Sequence, residues 1–92
     1  RETDFCARFG GEEIAILMPH TQIKNSFVIA ERIRKMIEAA VTGPERIRVT
    51  LSGGVTSLQP EMKTPQNFIE SADVALYEAK NAGRNRLVKV GP

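Results

Sequence analysis

An α+β fold, with helices packed against a mostly antiparallel sheet, is predicted by three features of the sequence. Short apolar runs of strand character lie near both ends. Two longer segments carry apolar residues at three- and four-residue spacing, and Gly or Pro separates the segments. The order reads β-β-α-β-α-β, with no internal repeat, linker or second domain. A chain of 92 residues can form one compact unit, near the lower limit for an independent core. Its 41% hydrophobic and 26% charged residues are ordinary for a folded soluble protein, which argues against disorder.

Phe5 to Phe9 and Ile14 to Met18 are two apolar strands joined by the turn Gly10-Gly11-Glu12-Glu13, a β-hairpin. Pro19 ends the second strand, and Thr21 is the expected N-cap of a helix. Along that helix Ile23, Phe27, Ala30, Ile33, Ile37 and Ala40 form one apolar face. The helix is expected to reach about Val41, before the stop at Gly43-Pro44. Ile47 to Leu58, rich in Val, Thr and Leu, is the third strand, and Gly53-Gly54 within it suggests a bulge or a close backbone contact. Thr64-Pro65 pairs an N-cap with proline at the first helical position. Phe68, Ile69, Ala72, Ala75, Leu76 and Ala79 then line the second helix, which Ala82-Gly83 terminates. Arg86 to Val90 alternates as a short last strand.

A formal net charge of +2, with Lys and Arg scattered along the chain, does not suit an extended polyanion, so nucleic acid is not an expected partner. The single cysteine, Cys6, cannot form an internal disulfide, and its apolar surroundings predict a buried thiol in a reducing, cytoplasmic setting. No run is long enough to span a bilayer and no signal-peptide pattern is present, so direct membrane contact is not expected from this segment. Because strand-like sequence begins almost at Arg1, the chain is expected to be part of a larger protein, which could itself be membrane-anchored.

The hairpin turn is the most unusual feature. A turn wants a glycine, but not two adjacent carboxylates in an apolar frame. Two glycines let a nucleotide approach the backbone, and neighbouring carboxylates can hold a hard cation such as magnesium or manganese. The plain alternative for this tetrapeptide is an exposed turn with incidental acids.

Arg8-Phe9-Gly10-Gly11-Glu12-Glu13-Ile14 resembles the R-[YF]-G-G-[DE]-E-F signature of GGDEF-type diguanylate cyclases. Thr50-Leu51-Ser52-Gly53-Gly54-Val55 is similar to that family's T-x-S-x-G-V strand. Ala72 to Asn85 is similar to its A-D-x-A-L-Y-x-A-K-x-x-G-R-N helix end. Three ordered motifs spread over nearly the whole chain identify it as the carboxyl-terminal portion, residues 1–92, of a single GGDEF domain whose earlier half is absent. The resemblance implies part of a ferredoxin-like, nucleotide-cyclase palm fold. Ile14 replaces the signature's phenylalanine. Gly54 is taken as a position where a larger apolar residue is common, and is expected to weaken its strand slightly.

Carried over by residue, Glu12 matches the metal-binding acid and Glu13 the acid that assists metal binding or deprotonation of the attacking 3′-hydroxyl. Both are therefore catalytic and metal-binding candidates. Gly10 and Gly11 match positions lying against GTP. Lys80 and Arg84 match cations on the triphosphate, and their spacing of four predicts one helical face. The plain alternative for both is cations complementing the helix dipole. Asp73 and Tyr77 are expected to be structural, and Arg8 to pair with a nearby carboxylate and orient the hairpin.

Arg1-Glu2-Thr3-Asp4 stands where the family carries its inhibitory R-x-x-D motif, so Arg1 and Asp4 resemble product-binding residues. Guanidinium can pair with phosphate or the guanine Hoogsteen edge, and carboxylate can accept from guanine N1 and N2. Arg32 resembles the helix arginine that completes this site, against the plain reading of a solvated surface charge.

The family implies that two GTP-loaded subunits of a homodimer form cyclic di-GMP with Mg2+ or Mn2+, under product inhibition. The alternatives are a non-catalytic cyclic di-GMP sensor and a purely structural interaction domain. Alone, these 92 residues are expected to show no turnover.

Overall fold

The computed structural model describes residues 3–40 and 43–90. Six elements follow one another in the expected order: β1 (Phe5–Arg8), β2 (Ile14–Leu17), α1 (Ile23–Ala39), β3 (Gly53–Val55), α2 (Pro65–Asn81) and β4 (Leu87–Lys89). The α+β class holds. The sheet, expected to be mostly antiparallel, is divided into an antiparallel pair, β1-β2, and a parallel pair, β3-β4. The second pair is parallel because its strands are joined through α2, a crossover that returns the chain in the same direction.

Packing is concentrated where α2 covers β3. Ala75 and Ala79 on the inner face of α2 are fully buried. A Cβ at Gly54 would lie 2.2 Å from the Ala72 carbonyl oxygen and 2.6 Å from the Leu76 nitrogen. Strand and helix backbones therefore meet with no room for a side chain, and the expectation that Gly54 weakens its strand is reversed. Glycine is the residue that lets α2 sit down on β3. Thr56 and Ser71 join their hydroxyls across the same contact at 2.8 Å. From α1, Ile23 is buried, and Phe27 is capped by the Lys89 ammonium 5.8 Å from its ring centroid.

The helix ends show local chemistry at work. Thr64 has extended backbone and its Oγ1 accepts from the Asn67 amide at 3.2 Å, as Thr-Pro predicts. Thr21 does not cap α1. Its hydroxyl turns back to donate to the Pro19 carbonyl at 2.9 Å, and Gln22 takes the N-cap position with its backbone carbonyl alone. The third strand is shorter than its composition suggests. Its only ladder partner among the described residues, β4, is three residues long, and Ile47 keeps just a bridge position.

The hairpin stands apart from this packing. No residue of β1 or β2 has its Cα within 8 Å of one in α1, α2, β3 or β4. Both of its faces are open to solvent, with Phe5 65% and Ile14 67% exposed. Cys6, expected to be buried, is exposed for the same reason. The Cα radius of gyration, 13.8 Å, exceeds the roughly 12 Å of a compact domain of this length, as a projecting hairpin requires.

Candidate functional site

The signature residues form the tip of the hairpin. The Phe9 amide donates to the Glu13 carbonyl at 2.9 Å and the Glu13 amide to the Gly10 carbonyl at 3.3 Å, which folds residues 10–13 into a closed turn. Arg8, expected to find a carboxylate, instead grips a backbone oxygen. Its Nη2 and Nε donate to the Gly11 carbonyl at 2.8 and 3.2 Å. The guanidinium thus fixes the turn and leaves both carboxylates unpaired by it.

Neither glycine is demanded by the turn itself. Gly10 and Gly11 are not among the positive-φ residues. A Cβ at Gly11 would meet nothing within 4 Å, and one at Gly10 only the Glu13 Cβ at 4.0 Å. The contrast with Gly54 is plain: packing explains one glycine and not the other two. Glu12 and Glu13 are exposed beside them. Among the described residues no group of three or more His, Cys, Asp or Glu side chains could hold a metal. Two carboxylates do suit magnesium, which is commonly held by one or two carboxylates together with water and substrate phosphates.

The second part of the predicted site is the end of α2. Lys80 lies in the last helical turn and is half-buried. Arg84 is not on the same helical face, because α2 ends at Asn81. The Arg84 amide donates to the Ala79 carbonyl at 3.0 Å and the Gly83 amide to the Lys80 carbonyl at 3.4 Å, a Schellman termination with Gly83 at φ +118°. Arg84 and Asn85 continue in the left-handed region, at φ +62° and +48°. Arg84 is exposed. No Cα of α2, which carries Lys80, lies within 8 Å of one in β1 or β2, the strands that carry the tip.

Sequence reasoning missed the residues that hold this turn. Arg34 of α1 donates through Nη1 to Asn85 Oδ1 at 2.8 Å, while its Nε and Nη2 both reach Glu31 Oε1, the former at 2.8 Å. Asn85 Nδ2 donates to Glu38 Oε2 at 2.5 Å and its amide to Ser52 Oγ at 3.0 Å. Hydrogen bonding from Arg34 holds the Glu31 carboxyl below its ordinary range against the opposing effect of desolvation, and Glu31 raises Arg34 in return. The spacing of Glu31, Arg34 and Glu38 was visible as a helical charge row. Their partner 51 residues beyond Arg34 was not.

Of the product-site candidates, Asp4 is half-buried and Arg32 is exposed on α1, while Arg1 lies outside the described residues. Asp73 and Tyr77, expected to be structural, are both exposed on α2.

The family model of the diguanylate cyclase GGDEF domain matches residues 1–86. Diguanylate cyclase A of Treponema denticola is 39% identical over 89 residues, which cover 95% of this chain and 24% of that protein. Response regulator PleD of Caulobacter vibrioides is 38% identical over 92 residues, covering 96% of this chain and 20% of that protein. The active GGEEF domain of a diguanylate cyclase from Vibrio cholerae superposes with a TM-score of 0.90 at 32% identity, over 97% of this chain and 57% of that one. The GGDEF domain of DgcB from Caulobacter crescentus, solved in complex with c-di-GMP, gives a TM-score of 0.87 at 30% identity, over 94% and 53%. The chain therefore spans less than a quarter of the curated relatives named here. With its signature hairpin, its glycine-packed strand and its terminated helix in the arrangement those domains share, this chain belongs to the GGDEF-domain family of diguanylate cyclases.

Proposed function

We propose that this chain is the carboxyl-terminal portion of a GGDEF domain that, once completed by the remainder upstream, condenses two molecules of GTP into cyclic di-GMP. The observation that carries this reading is the pair of glycines at the hairpin tip. Among the described residues neither backbone conformation nor packing accounts for them, which favours close approach of a ligand to the backbone. Exposed carboxylates beside that open backbone favour a phosphate ligand bridged by a divalent cation.

In this reading Gly10 and Gly11 admit the nucleotide, and Glu12 and Glu13 supply hard oxygen ligands for Mg2+ or Mn2+. When bound, the metal neutralises developing phosphate charge. Glu13 also takes up the proton of the 3′-hydroxyl, directly or through water. Each 3′-oxygen forms a bond to the partner's α-phosphorus as the bond to the bridging oxygen breaks, and pyrophosphate leaves with that electron pair. Lys80 and Arg84 hold triphosphate oxygens. Two subunits are required, hence a homodimer, and a GTP-consuming domain works in the cytoplasm. The test is pyrophosphate release from Mg-GTP by the intact protein. Turnover abolished by Glu13→Gln is expected, and unchanged turnover in that variant would overturn the role of Glu13.

Product control through Arg1, Asp4 and Arg32 is the second reading, favoured by the likeness to a domain solved with c-di-GMP. Calorimetry with cyclic di-GMP tests it, separately from turnover. Loss of the heat signal in Arg1→Ala and Asp4→Ala supports the site, whether or not the protein is catalytic. An unchanged signal excludes it.

A further inference from the structure

Three consecutive residues at the end of α2, Gly83, Arg84 and Asn85, adopt positive φ. Glycine does so freely. Two successive non-glycine residues do not, and such conformations persist only where surrounding contacts over-determine them. The contacts that do so converge on Asn85. Its Oδ1 accepts from Arg34, its Nδ2 donates to Glu38 and its amide donates to Ser52, so both hydrogen-bonding ends of the side chain and the backbone are engaged. Arg34 is itself immobilised. Only 13% of its side chain is exposed, two of its nitrogens bind Glu31, and Glu38 lies 3.7 Å from Nη1. The Arg86 Nε closes the turn from the other side by donating to the Arg84 carbonyl at 3.1 Å. Arg84, held between these anchors, remains exposed.

We propose that Arg34, acting through Asn85, is a positioning residue that fixes the backbone from which Arg84 reaches an anionic ligand, an inference resting on the reading of Arg84 as a phosphate contact. A long exposed arginine loses rotamer and backbone freedom when it grips phosphate. A turn clamped from α1 and from the segment before β3 has already given up the backbone part. The stabilising pair of carboxylates, Glu31 and Glu38, serves to fix Arg34 rather than to meet the nucleotide.

The test uses the intact protein, Mg-GTP and pyrophosphate release, with thermal midpoints recorded for every variant. Arg84→Ala is expected to raise KM for GTP about tenfold. Arg34→Gln breaks the latch from α1. Asn85→Gly breaks it from the turn, while glycine keeps the left-handed backbone accessible. Each is expected to raise KM by about fivefold with kcat within about twofold, and to add nothing further in the Arg84→Ala background. If either latch variant leaves KM at the wild-type value while Arg84→Ala raises it, the positioning role is overturned. It is overturned as well if the latch variants raise KM equally with and without Arg84, since they then act only through general stability. An Arg84→Ala variant with unchanged KM instead overturns the phosphate role of Arg84 given under the proposed function.

Discussion

At the scale of single residues, the informative distinction is between side chains that serve the fold and those it does not use. Arg8 carries a charge next to two carboxylates yet spends its donors on the Gly11 carbonyl, so its work is to shape the turn. Arg8→Ala is expected to loosen residues 10–13, read as faster amide exchange at Glu13, whose bond to Gly10 is already long at 3.3 Å. The Glu31 carboxyl offers a pH test. Its folded value is depressed, chiefly by hydrogen bonding from Arg34, so its contribution to the latch is present above 4.5 and is lost as pH falls through the depressed value. An NMR titration of the Glu31 side chain is expected to give a midpoint below 4.5, returned to the ordinary value by Arg34→Gln. A midpoint unaffected by that substitution would show that Arg34 is not the cause. The Glu31–Arg34 pair follows helical spacing, whereas the bond from Arg34 to Asn85, 51 residues on, is set by tertiary geometry and was hidden in the sequence.

At the scale of elements, the sequence foretold more. Six segments in the right order follow from apolar periodicity, Pro19, Thr64-Pro65 and Ala82-Gly83, all local signals. The structure departs from the sequence reading where one group has several possible partners. Thr21 looked like an N-cap, but its hydroxyl preferred the Pro19 carbonyl. Ile47 to Leu58 has strand composition, yet strand length is set by the partner available, and β4 offers three residues. Gly54 could be recognised as a close-contact candidate but not as an indispensable one. Replacing it with alanine sets a Cβ against the Ala72 carbonyl and Leu76 nitrogen, which are backbone and cannot rotate away. Gly54→Ala is expected to cost about 3 kcal/mol, measured by denaturant unfolding of the intact protein. Gly53→Ala meets only the end of the flexible Leu87 side chain and is expected to cost clearly less. Equal costs would show that α2 does not rest on β3 through Gly54.

At the scale of the whole molecule, the described residues divide into a small packed unit and an apolar hairpin with no helix or further strand packed on either face. Water is a poor neighbour for Phe5, Ile14, Ile16 and Leu17 together, and the unpaired strand edges invite further pairing. On the proposal that further chain of the intact protein covers the hairpin, its amides are expected to exchange rapidly in the 92-residue chain and slowly in the intact protein. Equal exchange rates would contradict that completion. The same geometry explains why the predicted site was legible as motifs: the tip and the end of α2 are each formed by local signals. The central claim is that the tip glycines are kept open for a nucleotide rather than for the fold, and Gly11→Ala in the intact protein tests it most directly. With a Cβ that meets nothing within 4 Å, the variant is expected to keep the wild-type thermal midpoint while pyrophosphate release from Mg-GTP falls on the order of a hundredfold. Wild-type turnover in a stably folded Gly11→Ala protein would contradict the claim.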